Sequence, residues 1–401
     1  MSENKISIRQ VVSGALLIGG TTIGAGMLGI PLITAQAGFL PAFLITAFVW
    51  LFMLLTGLLF LEATLWMHQD ANILSMTHRF LGYQGKVLAG STFVFLYYCL
   101  LVAYFAAGAP LFAEIINKIF EVNLHGWQMY GFFGLVFAVI VAMGISFIDR
   151  INYILMIGMF VSYFLLMGMG NELIDFSRLE VTHFSKTLFA APVLFSAFGY
   201  HNIIPSLTFH FKGNGKVMRY AIIYGTLIPF VMYTFWQFLI IGALPQDIIV
   251  ATMKKGAPIT SALQSLSGHF SIALVGNLFA LFALVTSTLG VAFSVVDFLG
   301  DGLGMRRTGK HRYVLCLLTF LPPFIFTTLK PAVFVLAIGV AGGFGEAFLN
   351  GILPAWLVWI GRYSHKLPSK NKVFGGKILL TAILIIGFLV MGMEALHLMH
   401  H

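Results

Sequence analysis

The sequence predicts an all-α polytopic membrane protein with eleven transmembrane helices, and three observations carry that prediction. Apolar runs of about 20 or more residues recur along the chain, the length that a hydrocarbon core of about 30 Å demands of a helix rising about 1.5 Å per residue. Hydrophobic residues make up 59% of the 401 positions and charged residues only 9%, against roughly 25% charged in soluble domains. Lipid must therefore solvate most of the surface. Finally, Lys and Arg sort to one side of the predicted spans.

Apolar runs broken by charged or turn-rich segments place helices near 8–37, 39–67, 87–118, 127–148 and 150–173. Five more lie near 188–211, 217–243, 268–299, 312–329 and 331–361, and an eleventh runs over about 376–397. The first run begins near Val11 with no small-residue cleavage site before a polar stretch, so it is expected to stay as a spanning helix. With the N-terminus placed in the cytoplasm, only Lys118, Arg178, Lys186, Lys254, Lys255 and Lys330 of the 23 Lys and Arg residues fall outside, leaving 17 inside. That bias orients the N-terminus inward and the C-terminus outward, to the periplasm of a bacterial inner membrane, and merging or splitting one span would destroy it. The net charge of +9 is thus a membrane-sided charge and not a nucleic-acid surface.

The polar connections near 68–86, 174–187, 244–267 and 362–375 are too short for a soluble domain, so 1–401 is one transmembrane domain. The moderately amphipathic segment from Ala257 to His269 is expected to lie against the outer face. Cys99 and Cys316 fall inside apolar runs and read as small buried hydrophobes, with no disulfide framework or Cys-held metal. No cofactor is expected.

Two runs carry a break. The first holds Gly19-Gly20-Thr21-Thr22-Ile23-Gly24-Ala25-Gly26-Met27, closed by Gly29-Ile30-Pro31, and the sixth holds Ser196-Ala197-Phe198-Gly199-Tyr200-His201-Asn202, closed by Ile203-Ile204-Pro205. Glycine costs about 1 kcal/mol against alanine in a helix interior, and unwound backbone at membrane depth survives only inside protein or beside a cavity. Interruptions at matching places in two five-helix halves, about 8–173 and 188–361, point to an inverted-repeat transporter with its site at the breaks. Free N–H groups at a half-helix start hold a carboxylate and freed carbonyls hold an ammonium, and an amino acid carries both.

The runs Gly20-Thr21-Thr22-Ile23-Gly24-Ala25-Gly26-Met27-Leu28-Gly29-Ile30-Pro31 and Phe198-Gly199-Tyr200-His201-Asn202-Ile203-Ile204-Pro205-Ser206-Leu207 resemble the hydroxy and aromatic amino acid permease family, in particular its bacterial tyrosine-specific transport proteins. The resemblance implies the LeuT-like five-plus-five inverted repeat of the amino acid, polyamine and organocation superfamily, with broken helices one and six and one peripheral helix. It also implies uptake of an aromatic amino acid, tyrosine first and tryptophan or a wider neutral set as alternatives, by proton symport. The family's substrate pocket falls here on Thr22, Ile23, Gly24, Ala25, Gly26 and Met27, and on Phe198, Gly199, Tyr200, His201 and Asn202.

An aromatic substrate needs a flat apolar slot, for which Tyr97, Tyr98 and Tyr104 of the third span are candidates. Ionisable groups at membrane depth are costly, so His201 in the break, Glu346 in Gly342-Gly343-Phe344-Gly345-Glu346 and Glu62 of the second span are the proton-coupling candidates. Glu114 and Glu394 lie near outer span ends and are expected to reach water. The fifth span, from Ile151 to Leu173, lacks a lysine to stand in for a sodium ion. Thr286 and Ser287, with Thr288 and Ser294, offer hydroxyls for sodium or simply bond back to their own helix. His397, His400 and His401 are given no role.

A channel would show pore-lining charge rings or a repeated filter segment, and neither is present. No HExxH, GxSxG or GxxxxGK[ST] pattern supports an embedded enzyme or an ATP-hydrolysing pump on this chain.

Overall fold

The computed structural model describes residues 7–67, 71–267, 270–306, 308–368 and 371–399, and every regular element among them is helical. Lys5, Arg307 and Lys370 of the charge count, His400 and His401, and the end of the amphipathic segment at Gly268 and His269 lie outside the described residues.

The first apolar run folds as α1 (Ile8–Thr22) and α2 (Gly26–Thr34), bent by 61° where glycine removes the helical preference. α3 (Phe39–Leu65) follows. α4 (Ile73–Phe120) starts on a capping box, in which Ser75 N–H donates to the Asn72 side chain at 3.0 Å and Asn72 N–H donates to Ser75 Oγ at 2.9 Å. Gly82, at φ 70°, interrupts α4, so the span expected near 87–118 is the longer arm of a bent helix. α5 (Trp127–Met143) and α6 (Ile145–Gly170) follow, and α7 (Phe176–Leu179) is a single turn in the connection after them.

The sixth run is split into α8 (Ala191–Ala197) and α9 (Ile204–His210) around a 3₁₀ turn at His201–Ile203. α10 (Gly215–Ala243) is capped by Asn214, whose side chain accepts from Val217 N–H at 3.3 Å. α11 (Gln246–Lys254), α12 (Thr260–Ser267), α13 (Phe270–Leu303) and α14 (Lys310–Leu329) follow. The next span is α15 (Phe334–Val340), a π-helical stretch over Ala341–Ile352, α16 (Leu353–Trp359) and a π turn at Ile360–Ser364. α17 (Gly376–Met399) closes the chain.

Among the described residues, nine helices are long and apolar enough to cross a membrane, or ten with the bent pair α1–α2 as one span. α5 is equally apolar but has 17 residues, short of the about 20 that an upright span needs.

Long-range hydrogen bonds gather the helix ends into two rims. At the first, Arg79 Nη1 donates to the Trp66 carbonyl at 2.6 Å, Trp66 Nε1 to the Pro368 carbonyl at 2.9 Å and Arg312 Nη2 to the Val141 carbonyl at 2.7 Å. At the second, His183 N–H donates to the Ala37 carbonyl at 2.7 Å and Arg178 Nη1 to the Ala243 carbonyl at 2.6 Å. α3 and α10, with 27 and 29 residues, run between these rims over about 40 Å.

Glu62, near the first-rim end of α3, is held by a fork from Arg362, with Nε at 2.8 Å and Nη2 at 2.5 Å, and Val373 N–H adds a third donor at 3.2 Å. Both side chains are buried. This pair ties α3, the end of the tenth run and the segment entering α17 into one joint. Removing one partner leaves a buried charge, so Glu62→Ala is expected to cost about 3–5 kcal/mol, read as a lower melting temperature in detergent. A Glu62→Leu/Arg362→Met double variant should recover much of that loss, whereas an unchanged melting temperature in the single variant would show that the joint carries no stability.

Glu114 is half exposed and paired with Lys118 at 2.6 Å, in line with its expected place near water. Glu394 is a correction, since it is only 2% exposed and packs on Gly339 and Gly343. Those glycines make room on the π-helical span for a carboxylate-bearing face of α17, and hydropathy says nothing of which face that is. Cys316 is buried and Cys99 half-buried, both as free thiols.

Candidate functional site

The two breaks touch. A Cβ on Gly26 would lie 3.0 Å from the Cα of Ala197, so a larger residue there would push the start of α2 off the end of α8. Gly24 faces α13 in the same way, its notional Cβ 2.5 Å from Ser287 Oγ, and that hydroxyl accepts from Ala25 N–H at 3.0 Å. The sequence places small residues at these points because two unwound segments and a third helix converge on them.

A cavity of about 730 Å³ opens at this junction. Thr22, Ile23, Gly24, Ala25 and Gly26 form one wall, with Gly199 and Asn202 of the second break beside them. Tyr97 and Tyr104 of α4, Thr286, Ser287 and Ser294 of α13, and Glu346 with Asn350 of the π-helical stretch complete it. From there the lining continues through Phe93 and Asn152 to Asn72 and Asp301, at the first rim. The volume lies within the range of about 300–1,000 Å³ usual for small-molecule sites.

Within the wall, Asn202 Nδ2 donates to Tyr97 Oη at 3.2 Å, joining break to aromatic side chain. Asn350 Nδ2 donates to Glu346 Oε2, one turn apart on the same helix. Gly199 leaves space for that carboxylate, since a Cβ there would stand 2.6 Å from Glu346 Oε1. Thr22 Oγ1 donates to the Ile18 carbonyl at 2.8 Å, and Thr286 and Ser294 likewise bond back to Phe282 and Gly290 at 2.8 and 2.9 Å. Thr288 does the same to Leu284 at 2.7 Å, buried behind the wall.

Other candidates turn away from the cavity. Phe198 is fully buried with its ring 5.1 Å edge-on to Tyr233 of α10, and Tyr200 Oη donates to the Met53 carbonyl at 3.0 Å. His201 Nε2 lies 3.0 Å from Thr56 Oγ1 of α3, against the rings of Tyr200 and Phe60. Tyr98 Oη donates to the Leu318 carbonyl of α14 at 2.8 Å. Met27 is buried, and Glu62 is in the joint with Arg362. Helical spacing explains the split, because neighbours along a turn face different partners.

Sequence reasoning missed Asn350, Asn72 and the α10 residues that hold the breaks. For Asn350 a signal existed, a second polar residue four positions after Glu346 in an apolar run. Among the described residues, no group of three or more His, Cys, Asp or Glu side chains is arranged to hold a metal ion.

A many-helix membrane protein whose cavity is walled by two helix breaks, aromatic hydroxyls and one buried carboxylate has the build of a carrier for a small amphipathic solute. Its kinship agrees with that build. The chain belongs to the tryptophan/tyrosine permease family, whose sequence model matches residues 7–394. It is 32% identical over 390 residues to the tyrosine-specific transport system 1 of Haemophilus influenzae, covering 96% of each chain. It is 29% identical to a tryptophan-specific transport protein of the same organism, covering 95% of this chain and 94% of that one. To a tryptophan-specific transport protein of Shigella flexneri the identity is 30%, covering 94% and 93%. The protein is thus a multi-pass inner-membrane permease of an aromatic amino acid family, and these relatives are named as transport proteins, not enzymes.

Proposed function

We propose that this permease imports tyrosine by proton symport, binding it where the two breaks meet. The observation that carries the proposal is the shared wall, in which Gly24 to Gly26, Gly199, Asn202, Tyr97, Tyr104 and Glu346 surround one volume. The substrate carboxylate sits at the start of α2, where the positive end of the half-helix favours an anion. The substrate ring lies among Tyr97, Tyr104 and the apolar wall, in offset or edge contact. Glu346, the buried carboxylate of that lining, carries the coupled proton.

The architecture we assign is eleven spans in a LeuT-like five-plus-five inverted repeat, 8–173 and 188–361, with 376–397 peripheral. Support for counting α5 as a span comes from its neighbours: α4 leaves the first rim and ends at Phe120 on the other side, and α6 starts from the first rim and ends at the second, so α5 must carry the chain back between them. Val141, near its C-terminus, is tied to Arg312 at the first rim, whereas Asp175, just beyond α6, donates its N–H to the Gly242 carbonyl at the second. With the first rim cytoplasmic, as the Lys and Arg bias asks, the N-terminus is inside and the C-terminus periplasmic, and the cavity lining reaches the cytoplasmic face.

Proteoliposomes carrying the purified protein are expected to accumulate labelled tyrosine under an inward proton gradient. A panel of unlabelled amino acids at two pH values, with and without sodium, tests the rest. Stronger competition by tryptophan than by tyrosine would reassign the substrate. Uptake that follows sodium and ignores the proton gradient would assign coupling to the Thr286 and Ser287 hydroxyls instead.

A further inference from the structure

We propose that Tyr233 is a positioning residue for substrate binding, its single hydroxyl fastening both helix breaks to α10 and setting the register between them. The inference rests on the reading that substrate binds at the breaks.

A broken helix leaves carbonyls without their helical donors. In an unbroken α-helix the carbonyl of residue 22 accepts from residue 26, and that of residue 197 from residue 201. Here the chain unwinds after each, and both carbonyls turn to the same atom. Tyr233 Oη lies 2.8 Å from the Thr22 oxygen and 3.0 Å from the Ala197 oxygen. All three residues are buried, and a buried carbonyl left without a donor is costly. The ring is held edge-on by Phe198, the first residue of the second break, at 5.1 Å.

The rest of this face of α10 works to the same end. Met27 has its carbonyl four residues before Pro31, which has no N–H to donate, and Trp236 Nε1 fills that place at 3.1 Å. Gln237 Nε2 donates to the Tyr233 carbonyl at 3.2 Å and to Thr46 Oγ1 at 3.1 Å, anchoring this turn of α10 to α3. One helix face therefore completes the hydrogen bonding of the first break on both sides and of the second on one.

Tyr233 has one proton for two carbonyls. It bonds fully to one or shares between both, and the balance depends on how far Thr22 and Ala197 stand apart. A fastener of this kind fixes the breaks relative to each other without locking them. That suits a site whose two walls must close on a substrate and then release it. Since Tyr233 is not part of the cavity lining, its effect on substrate runs through the backbone of residues 22–26 and 197–199.

The test is Tyr233→Phe, which keeps the ring against Phe198 and deletes the oxygen. Uptake of labelled tyrosine in proteoliposomes is expected to show an apparent KM raised about tenfold, the order of one lost hydrogen bond, with a maximal rate per folded protein within about twofold. The melting-temperature rise that saturating tyrosine produces in detergent should shrink with it. An unchanged KM with fewer folded molecules would overturn the proposal, because that is what a purely structural tyrosine gives. Gly24→Leu in parallel separates the two layers. If Gly24→Leu abolishes uptake while Tyr233→Phe keeps the wild-type KM, the fastener is wrong and the site stands; if Gly24→Leu transports normally, the site itself is misplaced and the inference falls with it.

Discussion

Replacing Gly24 by leucine is expected to abolish uptake while leaving a folded protein in the membrane. A Cβ at this position would come 2.5 Å from Ser287 Oγ, and the leucine branches would extend from there beside the cavity wall. Two things suffer together. Ser287 must give up its bond from Ala25 N–H, and the volume at the start of α2 fills with carbon. Overpacking typically costs about 1–3 kcal/mol, and the same penalty set against substrate binding lowers affinity by about 5- to 150-fold before any loss of space for the ligand is counted. Size-exclusion profiles of the tagged variant check folding, and proteoliposome uptake checks function. Normal transport by this variant would place the substrate elsewhere.

Glu346→Gln is expected to uncouple transport rather than stop it. Glutamine keeps the shape of the side chain and still offers an oxygen to Asn350, the partner seen in the wall, but it cannot gain or lose a proton. With one proton per substrate and no membrane potential, an inward gradient of one pH unit supports about tenfold accumulation. The variant's accumulation ratio should fall to about one, while exchange of labelled for unlabelled tyrosine across the membrane persists. Accumulation equal to that of the unaltered protein would remove Glu346 from coupling and return attention to His201, whose ring faces Thr56 and not the cavity.

Much of this architecture is legible in the sequence because its signals are local. Apolar length marks a span wherever it occurs, and the expected ends at 39–67, 217–243 and 376–397 differ from α3, α10 and α17 by about two residues. The breaks are legible for a similar reason, since Gly24, Gly26, Gly199, Pro31 and Pro205 weaken a helix whatever surrounds them. Gly82 lies in a stretch whose polarity predicts a connection, and a glycine in a connection carries no signal for a bend inside a helix. The π-helical stretch around Glu346 has no composition of its own, so apolar length does not distinguish it from an α-helix.

Facing is another matter. Adjacent residues in a break point to different neighbours, and only the packing of α3, α10 and α13 decides that Asn202 reaches Tyr97 while His201 reaches Thr56. The burial of Glu394 was likewise decided by Gly339 and Gly343 on another helix. Tyr233 is one of 13 tyrosines, and nothing in its own neighbourhood of the chain sets it apart. The sequence by itself determined that this is a many-helix membrane protein with two matched weak points, because hydropathy and backbone preference are properties of short segments. Tertiary structure alone decided which atoms meet at those points, because the carbonyls of Thr22 and Ala197 find their donor on a helix that the chain reaches later.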